Sequence, residues 1–203
     1  MRNFLVLLLM LVALGLTGCG YKTFQAAEEE VQVGWSEVLS QYQRRWNLVP
    51  ELINAVRGAT ASEQDTLVAV TNALTGVTKI KATADLLNNP WAFVRFVEAQ
   101  ARLTSALSRL RGIFEKYPDL KANVGYRALQ AELEDTESRI TTARDRYIVA
   151  AQSYNAAVRT FWGTANLLHY SVKPTFSAGE EKAIVVFPKV RHEVTYEGSE
   201  VAR

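Results

Sequence analysis

The stretch that decides the fold is residues 126–161, YRALQAELEDTESRITTARDRYIVAAQSYNAAVRTF. Apolar or small residues recur in it at alternating intervals of three and four, which is the spacing of one face of an α-helix. This face consists of Tyr126, Leu129, Leu133, Thr136, Ile140, Ala143, Tyr147, Ala150, Tyr154, Val158 and Phe161. The pattern predicts one helix from about 124 to about 165, with a length of roughly 60 Å.

Three earlier segments carry the same spacing. The first contains Val31, Trp35, Val38, Tyr42, Trp46, Val49, Ile53 and Val56; the second contains Leu67, Val70, Leu74, Val77 and Ile80. The third contains Phe96, Gln100, Leu103, Leu107, Leu110, Phe114 and Tyr117, which is a heptad pattern with one polar position. Repeats of 3.5 residues predict helices that supercoil to the left. The sequence therefore predicts an all-α fold: an elongated antiparallel bundle of about four long helices with left-handed coiled-coil-like packing and an irregular C-terminal tail.

Local signals mark where these helices begin, bend and end. Asn88-Asn89-Pro90 predicts a turn, and Pro118 predicts that the third helix stops at Tyr117, because proline disfavours helical geometry in the residue before it. Asp119 or Asn123 can cap the long helix, and we favour Asn123. Pro50 lies inside the first helix and predicts a kink there, because it removes a hydrogen bond to the carbonyl of Trp46.

Small residues on the long helix predict that a neighbouring helix approaches it closely. These residues are Thr136, Ala143 and Ala150, and the helix that carries Trp35 and Trp46 is the expected neighbour. We interpret both tryptophans as core residues rather than as a ligand platform.

The first 20 residues, MRNFLVLLLMLVALGLTGCG, have the pattern of an export signal. Arg2 precedes an apolar run from Phe4 to Leu16, which is shorter than the roughly 20 residues that a membrane-spanning helix needs. The run ends in Leu16-Thr17-Gly18-Cys19, which resembles a bacterial lipoprotein box. That resemblance implies cleavage before Cys19 and acylation of Cys19. An ordinary secretory signal with an incidental cysteine is the alternative.

This interpretation divides the chain into a signal peptide (1–18), a lipid-anchored linker (19–25), a helical bundle (26–170) and a tail (171–203). Acyl chains, at about 0.8 kcal/mol per buried CH₂, would hold the protein on a membrane without a spanning helix. An aspartate after the cysteine retains lipoproteins at the inner membrane of Gram-negative bacteria. Gly20 therefore favours the inner leaflet of the outer membrane, with the protein facing the periplasm, although anchoring at the inner membrane stays open.

The charge balance argues against nucleic acid as a partner. The chain has 23 basic and 21 acidic residues, and loss of Arg2 with the signal peptide would leave a formal charge of +1 over 185 residues. Proteins that bind nucleic acid present a strongly basic surface, which this balance does not predict. Cys19 is the only cysteine, so the chain has no internal disulfide framework.

Several motifs in these helices resemble the LemA family. RRWNLVPEL at 44–52 is similar to the family's R-R-x-x-L-[IV]-P-x-L signature, and YPDLKAN at 117–123 is similar to the family's loop in every position. Further matches are the run 129–144, Tyr154-Asn155, Lys173-Pro174-x-Phe176 and Pro188-Lys189-Val190. The resemblance covers about 24–190 and implies an antiparallel helical bundle outside the cytoplasmic membrane, with no established reaction.

The chain departs from the family pattern at two places. Tyr147-Ile148 stands where the family has an earlier Y-N pair, and the lipobox replaces the family's usual uncleaved N-terminal membrane helix.

Motifs for catalysis are missing from the sequence. It contains no G-x-x-x-x-G-K-[ST], G-x-S-x-G or H-E-x-x-H, and its two histidines, His169 and His192, lack an E-x-x-H pairing. The acidic group at 132–137 offers Glu134 and Glu137 as cation ligands, but we favour solvated helix positions with local pairs such as Glu137 with Arg144. We therefore predict no catalytic residue, no cofactor and no metal.

The candidate structural or interaction residues are Arg44, Arg45, Pro50, Asp119, Lys121, Asn123, Glu137, Arg139 and Arg144. We expect Arg44 and Arg45 to pair with Glu137 or Glu134 on the long helix, rather than to recognise a ligand. The apolar strip at 183–187 is either packed on the bundle or available for docking by strand or groove addition.

The sequence favours a non-enzymatic envelope scaffold or adaptor, held at the membrane by acyl chains, which binds another envelope protein or itself. The alternative is a small-molecule or cell-wall ligand-binding protein. It would use aromatic residues near the bundle ends, namely Trp91, Phe93, Phe161 and Trp162.

Overall fold

A computed structural model describes the backbone of residues 2–59, 62–177 and 183–184, and the side chains of residues 24–58, 62–120 and 122–177. The helices are α1 (Arg2–Ala59), α2 (Gln64–Thr78), α3 (Pro90–Lys116), α4 (Pro118–Ala122), α5 (Val124–Thr160) and α6 (Trp162–Leu167). A 3-10 turn spans Ala84–Asn88. Two short strands, β1 (Thr175–Phe176) and β2 (Ala183–Ile184), pair antiparallel, with Thr175 opposite Ile184.

The helices alternate in direction along the bundle. Helix α5 runs antiparallel to α1, because Gly34 contacts Tyr147 while Arg45 reaches back to Glu137. Helix α3 runs parallel to α1, because Phe93 contacts Trp35 and Gln100 bonds to Arg45. The all-α bundle predicted from the heptads is confirmed, and the handedness of its supercoil stays a prediction.

The apolar stripes of the sequence form the core. Each residue of the first stripe is buried except Trp46, which is half-buried and packs against the core. In the third stripe only Tyr117 is half-buried, and Gln100 is fully buried despite its polarity. The sequence therefore predicted correctly which face of each helix lies inward, except for Phe161, which follows the end of α5 and is 51% exposed.

The core has two halves. Helices α1, α3 and α5 line both of them, but a different element packs on the fourth side of each half. In the half far from the N-terminal segment, α1, α3 and α5 pack with α2 around Val49, Val70 and Leu103. Helix α2 ends at Thr78, and in the other half its place is taken by the turn residues Leu86 and Leu87 and by Phe176 of β1. Part of the segment predicted as a tail therefore packs as one side of the bundle.

Helix boundaries agree with the local signals, with two differences. Helix α3 begins at Pro90 and stops before Tyr117, as predicted. Helix α5 ends at Thr160 rather than near 165, because Phe161 leaves the helical conformation (φ −107°, ψ 41°) before α6 begins. Residues 19–25, predicted as a linker, are helical.

Helix α1 continues through Pro50 as far as Ala59, so the kink angle stays a prediction. In the described part of the chain, we find no helix with both the length and the apolar character needed to cross a membrane.

The predicted close approach of α1 and α5 is present, and a glycine of α1 takes part in it. Thr136 and Ala143 are fully buried, whereas Ala150 is half-buried. A Cβ atom added at Gly34 would lie 3.2 Å from Tyr147 Cα. The absent side chain of Gly34 therefore allows the two backbones to meet.

Candidate functional site

A charged side chain lies fully buried in the middle of the bundle. Arg45 of α1 is 0% exposed, and its guanidinium donates to Glu137 of α5 at 3.0 Å. It also donates to Thr104 at 2.8 Å and to Gln100 at 2.6 Å, both on α3. Three helices are thus joined by one side chain, whose charge is balanced by the Glu137 carboxylate.

The four acidic residues at 132–137 of α5 each pair with a different arginine. Glu137 pairs with Arg45, Glu132 with Arg44 (3.2 Å), Glu134 with Arg111 (3.4 Å) and Asp135 with Arg139 (2.7 Å). The predicted pair of Arg45 with Glu137 is present. The expectation for Arg44 was wrong, because its partner is Glu132, which precedes the two expected residues, Glu134 and Glu137, on α5.

The YPDLKAN loop works as a helix connector. The Asn123 side chain accepts a hydrogen bond from Tyr126 N at 3.1 Å, so Asn123 caps α5 as predicted. Asp119 lies in the first turn of α4, which begins at Pro118, and does not cap α5. The Tyr117 hydroxyl lies 2.8 Å from Ser62 Oγ and donates to Glu63, which joins the loop to the start of α2. The Lys121 side chain lies outside the described residues.

The tail is fixed to α5 by a pair of hydrogen bonds. Asn155 accepts from Lys173 N at 2.7 Å and donates to the Lys173 carbonyl at 2.9 Å. The Lys173 side chain is 8% exposed, and its ammonium group bonds to Asn88 at 2.8 Å and pairs with Glu28 at 3.1 Å. One lysine thus connects α1, the 3-10 turn and the tail.

Aromatic rings hold the tail in place beyond Lys173. Phe176 is buried against Trp35, Phe93 and Tyr147, and the Arg144 guanidinium lies over its ring at 4.6 Å. The Tyr147 hydroxyl donates to the Pro174 carbonyl at 2.6 Å. Burial raises the pKa of Tyr147 well above the usual tyrosine value, so this donor stays protonated.

The tail strip was predicted either to pack or to dock. Ala183 and Ile184 pair with β1, while the strip's remaining residues, 185–187, and His192 lie outside the described part of the chain.

Surface cavities of the described residues are open grooves. Grooves of about 470 Å³ and 450 Å³ lie along α1 and α5 and share Glu30 and Arg146. A third, of about 600 Å³, is lined mainly by polar residues of α1, including Gln43 and Asn47. Among the residues the structure describes, no three His, Cys, Asp or Glu side chains are grouped so that they could hold a metal ion.

A family model described as the LemA family matches residues 34–192, which is most of the chain. This chain belongs to the LemA family. It is similar to Protein LemA of Metamycoplasma hominis, with 26% identity over 135 residues that cover 66% of this chain and 58% of that protein. It is also similar to Magnetosome protein MamQ 2 of Paramagnetospirillum magneticum, with 26% identity over 158 residues, 70% of this chain and 58% of that protein.

Magnetosome protein MamQ of Magnetospirillum gryphiswaldense matches with the same identity and the same coverage of both chains. The aligned parts thus span 58% of the length of each of these relatives. Family membership and these similarities support a coarse description of the chain as a membrane-associated envelope protein.

The LemA-like motifs mostly supply internal contacts. Arg45 of RRWNLVPEL joins three helices, Asn123 of YPDLKAN caps α5, and Asn155 of the Y-N pair binds the backbone of Lys173. Each of these three motif side chains binds another residue of the same chain. These contacts indicate that the motif residues stabilise the fold.

Sequence reasoning missed three members of these contacts. Gln100 was visible only as the polar position of a heptad, which is the signal that could have suggested a buried partner for Arg45. Thr104 carried no local signal, and Lys173 was recognised only as part of the tail motif; their partners could not be predicted locally, because they lie 59 and 85 residues away in sequence.

Proposed function

We propose that this LemA-family protein is a lipid-anchored scaffold or adaptor of the cell envelope, without catalytic activity, that binds other envelope proteins or a second copy of itself. The observation that carries the proposal is the position of Phe24. Its side chain follows Cys19 by five residues and is buried at one end of the bundle, where its ring stacks on Tyr170. Acyl chains on Cys19 would hold the rod by that end and leave its flanks accessible.

The accessible flank best suited to a partner is the one formed by α1 and α5. Val33 and Val149 are 63% and 67% exposed there, next to Glu30, Asp145 and Arg146. Exposed apolar side chains with a polar rim are a feature of surfaces that bind proteins. This combination supports binding to a protein partner or to a second copy.

The ligand-binding alternative has less support. Phe93, one of the four aromatic residues predicted for it, is buried in the core, and Trp91, Phe161 and Trp162 lie on the outer surface. Within the described residues, the cavities found are open grooves rather than enclosed pockets.

The anchor is tested by mass spectrometry of the N-terminal peptide of the protein isolated from membranes. We expect a peptide that begins at Cys19 and carries acyl chains, and a Cys19→Ala variant that is not processed at this position. An unmodified Cys19, or an N-terminus elsewhere, would show that the protein lacks the proposed lipid anchor at Cys19.

The scaffold role is tested by site-specific photocrosslinking in intact cells, with the crosslinking residue at position 149 on the α1–α5 flank. Position 68 is the matched control, because Val68 is also exposed but lies on α2. We expect one envelope protein, or a dimer of this chain, to be captured from position 149 and lost in Cys19→Ala. Equal capture from both positions, or no capture from either, would count against the proposal.

A further inference from the structure

Exposed apolar side chains concentrate in one short part of the chain. Of the nine large apolar residues exposed among the described side chains, four lie within 161–168. They are Phe161 (51%), Trp162 (71%), Leu167 (76%) and Leu168 (37%). We call residues 161–168, which comprise α6 and its flanking residues, the apical segment. This density of exposed apolar area requires an explanation, because such side chains are normally scattered over a soluble surface.

The apical segment lies at the end of the bundle where α1 enters. The Phe161 ring meets the Phe24 ring edge-on, with centroids 6.2 Å apart. Residues 19–24 are helical, so Cys19 lies only about 7.5 Å from Phe24 along the helix axis. The exposed tryptophan and leucine side chains are therefore next to the point at which an acylated Cys19 would enter a bilayer.

The apical segment is held in a defined conformation. His169 has a positive φ of 60°, Tyr170 N donates to Ala165 O at 2.9 Å, and His169 N donates to Asn166 O at 3.3 Å. These bonds form a Schellman ending of α6. They return the chain so that Tyr170 stacks on Phe24 at 5.0 Å. The exposed side chains are thus presented by a fixed turn of helix.

A basic residue directly before the apical segment favours a membrane surface. Between Asp145 and Glu180 the chain contains no acidic residue, and of its basic residues there Arg146 and Lys173 pair with Glu37 and Glu28 of α1, so the charge that bears on a membrane is that of Arg159. Arg159 is exposed in the last turn of α5, directly before the apical segment. A cation beside tryptophan and leucine suits the boundary between acyl chains and anionic headgroups.

We propose that the apical segment lies in the headgroup region of the membrane, with Trp162 and Leu167 inserted, and that it sets the orientation of the bundle on the lipid surface. The inference rests on the membrane attachment proposed above. Tryptophan is the side chain most favoured at this depth, because its ring is apolar and its N–H can bond to water or headgroups.

The test is quenching of tryptophan fluorescence by brominated lipids. The full-length lipidated protein is reconstituted in vesicles of phosphatidylcholine and phosphatidylglycerol brominated on their acyl chains. Trp162→Phe removes the reporter in the apical segment. Trp91→Phe is the matched control, because Trp91 is 67% exposed but lies at the start of α3, two residues before Phe93, which contacts Trp35; this places it roughly 13 Å farther along the bundle from Phe24.

We expect quenching in the wild type and in Trp91→Phe, and loss of most of it in Trp162→Phe. Undiminished quenching in Trp162→Phe, or no quenching in the wild type while the protein floats with the vesicles, would overturn the inference and leave the anchor intact. A protein that does not float with the vesicles would instead refute the anchor. Circular dichroism of each variant checks that the helices remain folded.

Discussion

At the scale of single residues, Arg45 shows how the bundle accommodates a buried charge. Desolvating a guanidinium costs several kcal/mol, and that cost is offset only when its donors are bonded and a carboxylate is near. Glu137, Thr104 and Gln100 supply acceptors for both terminal nitrogens of the guanidinium from two other helices. These bonds can form only when α1, α3 and α5 are in the register observed.

Arg45→Ala should lower the free energy of unfolding by about 3 kcal/mol, because it leaves Glu137 and Gln100 without their buried partner. Arg44→Ala is the matched control, since Arg44 is the neighbouring residue but its pair with Glu132 is nearly half exposed on both sides. That change should cost less than about 1 kcal/mol. Urea unfolding measures both, and equal losses would contradict the role we assign to Arg45.

Gly34 is the second residue on which the packing of α1 depends. Gly34→Val should destabilise the protein by about 2 kcal/mol, because the new side chain would meet the Tyr147 backbone, which cannot rotate away. Gly112→Ala in α3 is the control, since nothing lies within 4 Å of the added atom. It should stabilise the protein by about 0.5–1 kcal/mol through helix propensity. Thermal unfolding distinguishes the two, and stabilisation by both changes would show that the helices can separate without cost.

At the scale of elements, the C-terminal tail replaces a helix. Helix α2 covers only one half of the bundle, and Lys173, Pro174 and Phe176 close the other half. A two-residue strand has too few hydrogen bonds to be stable alone. Its position therefore depends on Asn155, on the Tyr147 hydroxyl and on burial of the Phe176 ring.

Asn155→Ala should release the tail, because the backbone N–H and carbonyl of Lys173 would lose their partner. We expect a cost of about 1–3 kcal/mol and faster proteolytic cleavage near residues 171–177. Gln152→Ala, at an exposed position on the same helix, should leave the cleavage rate unchanged. Cleavage of Asn155→Ala at the wild-type rate would mean that aromatic packing alone holds the tail.

At the scale of the whole molecule, buried tyrosines in both halves of the core should make the stability of the fold depend on pH. Burial is the main cause that raises the pKa of Tyr126, Tyr147 and Tyr154 above the ordinary value of 10.0. Tyr126 lies in the half lined by α2, and the other two lie in the half closed by the tail. Both halves therefore favour the protonated hydroxyl.

The protein should unfold cooperatively in alkali. Because the folded pKa is raised, the folded state holds more protons than the unfolded state above pH 10, and stability falls as the pH rises through that range. Above pH 10, the difference in Tyr147 protonation between the folded and unfolded states should by itself lower the free energy of unfolding by up to about 1.4 kcal/mol per pH unit. Tyrosinate absorbance followed together with circular dichroism checks this.

Tyr147→Phe should reduce the steepness of this alkaline loss, because the substituted ring has no proton to lose. If the tyrosinate absorbance of the wild type rose fully near pH 10 while the helices stayed intact, the hydroxyls would not be shielded as the structure implies.

The sequence by itself determined the helices, their inward faces and the main boundaries. Periodicity of apolar residues, proline before a helix and asparagine at the start of α5 act within a few residues, so they can be read locally. The RRWNLVPEL and YPDLKAN motifs likewise indicated the LemA family before any contact was known.

Only the tertiary structure decided which residues the motifs bind and how the bundle closes. Glu132 rather than Glu134 pairs with Arg44, and Gln100 bonds to Arg45, because pairing across helices depends on rotation and register that no single helix defines. The same holds for the apical segment. Its exposed side chains are close in sequence, but their position beside Phe24 comes from a chain reversal that brings residues 24 and 161 together.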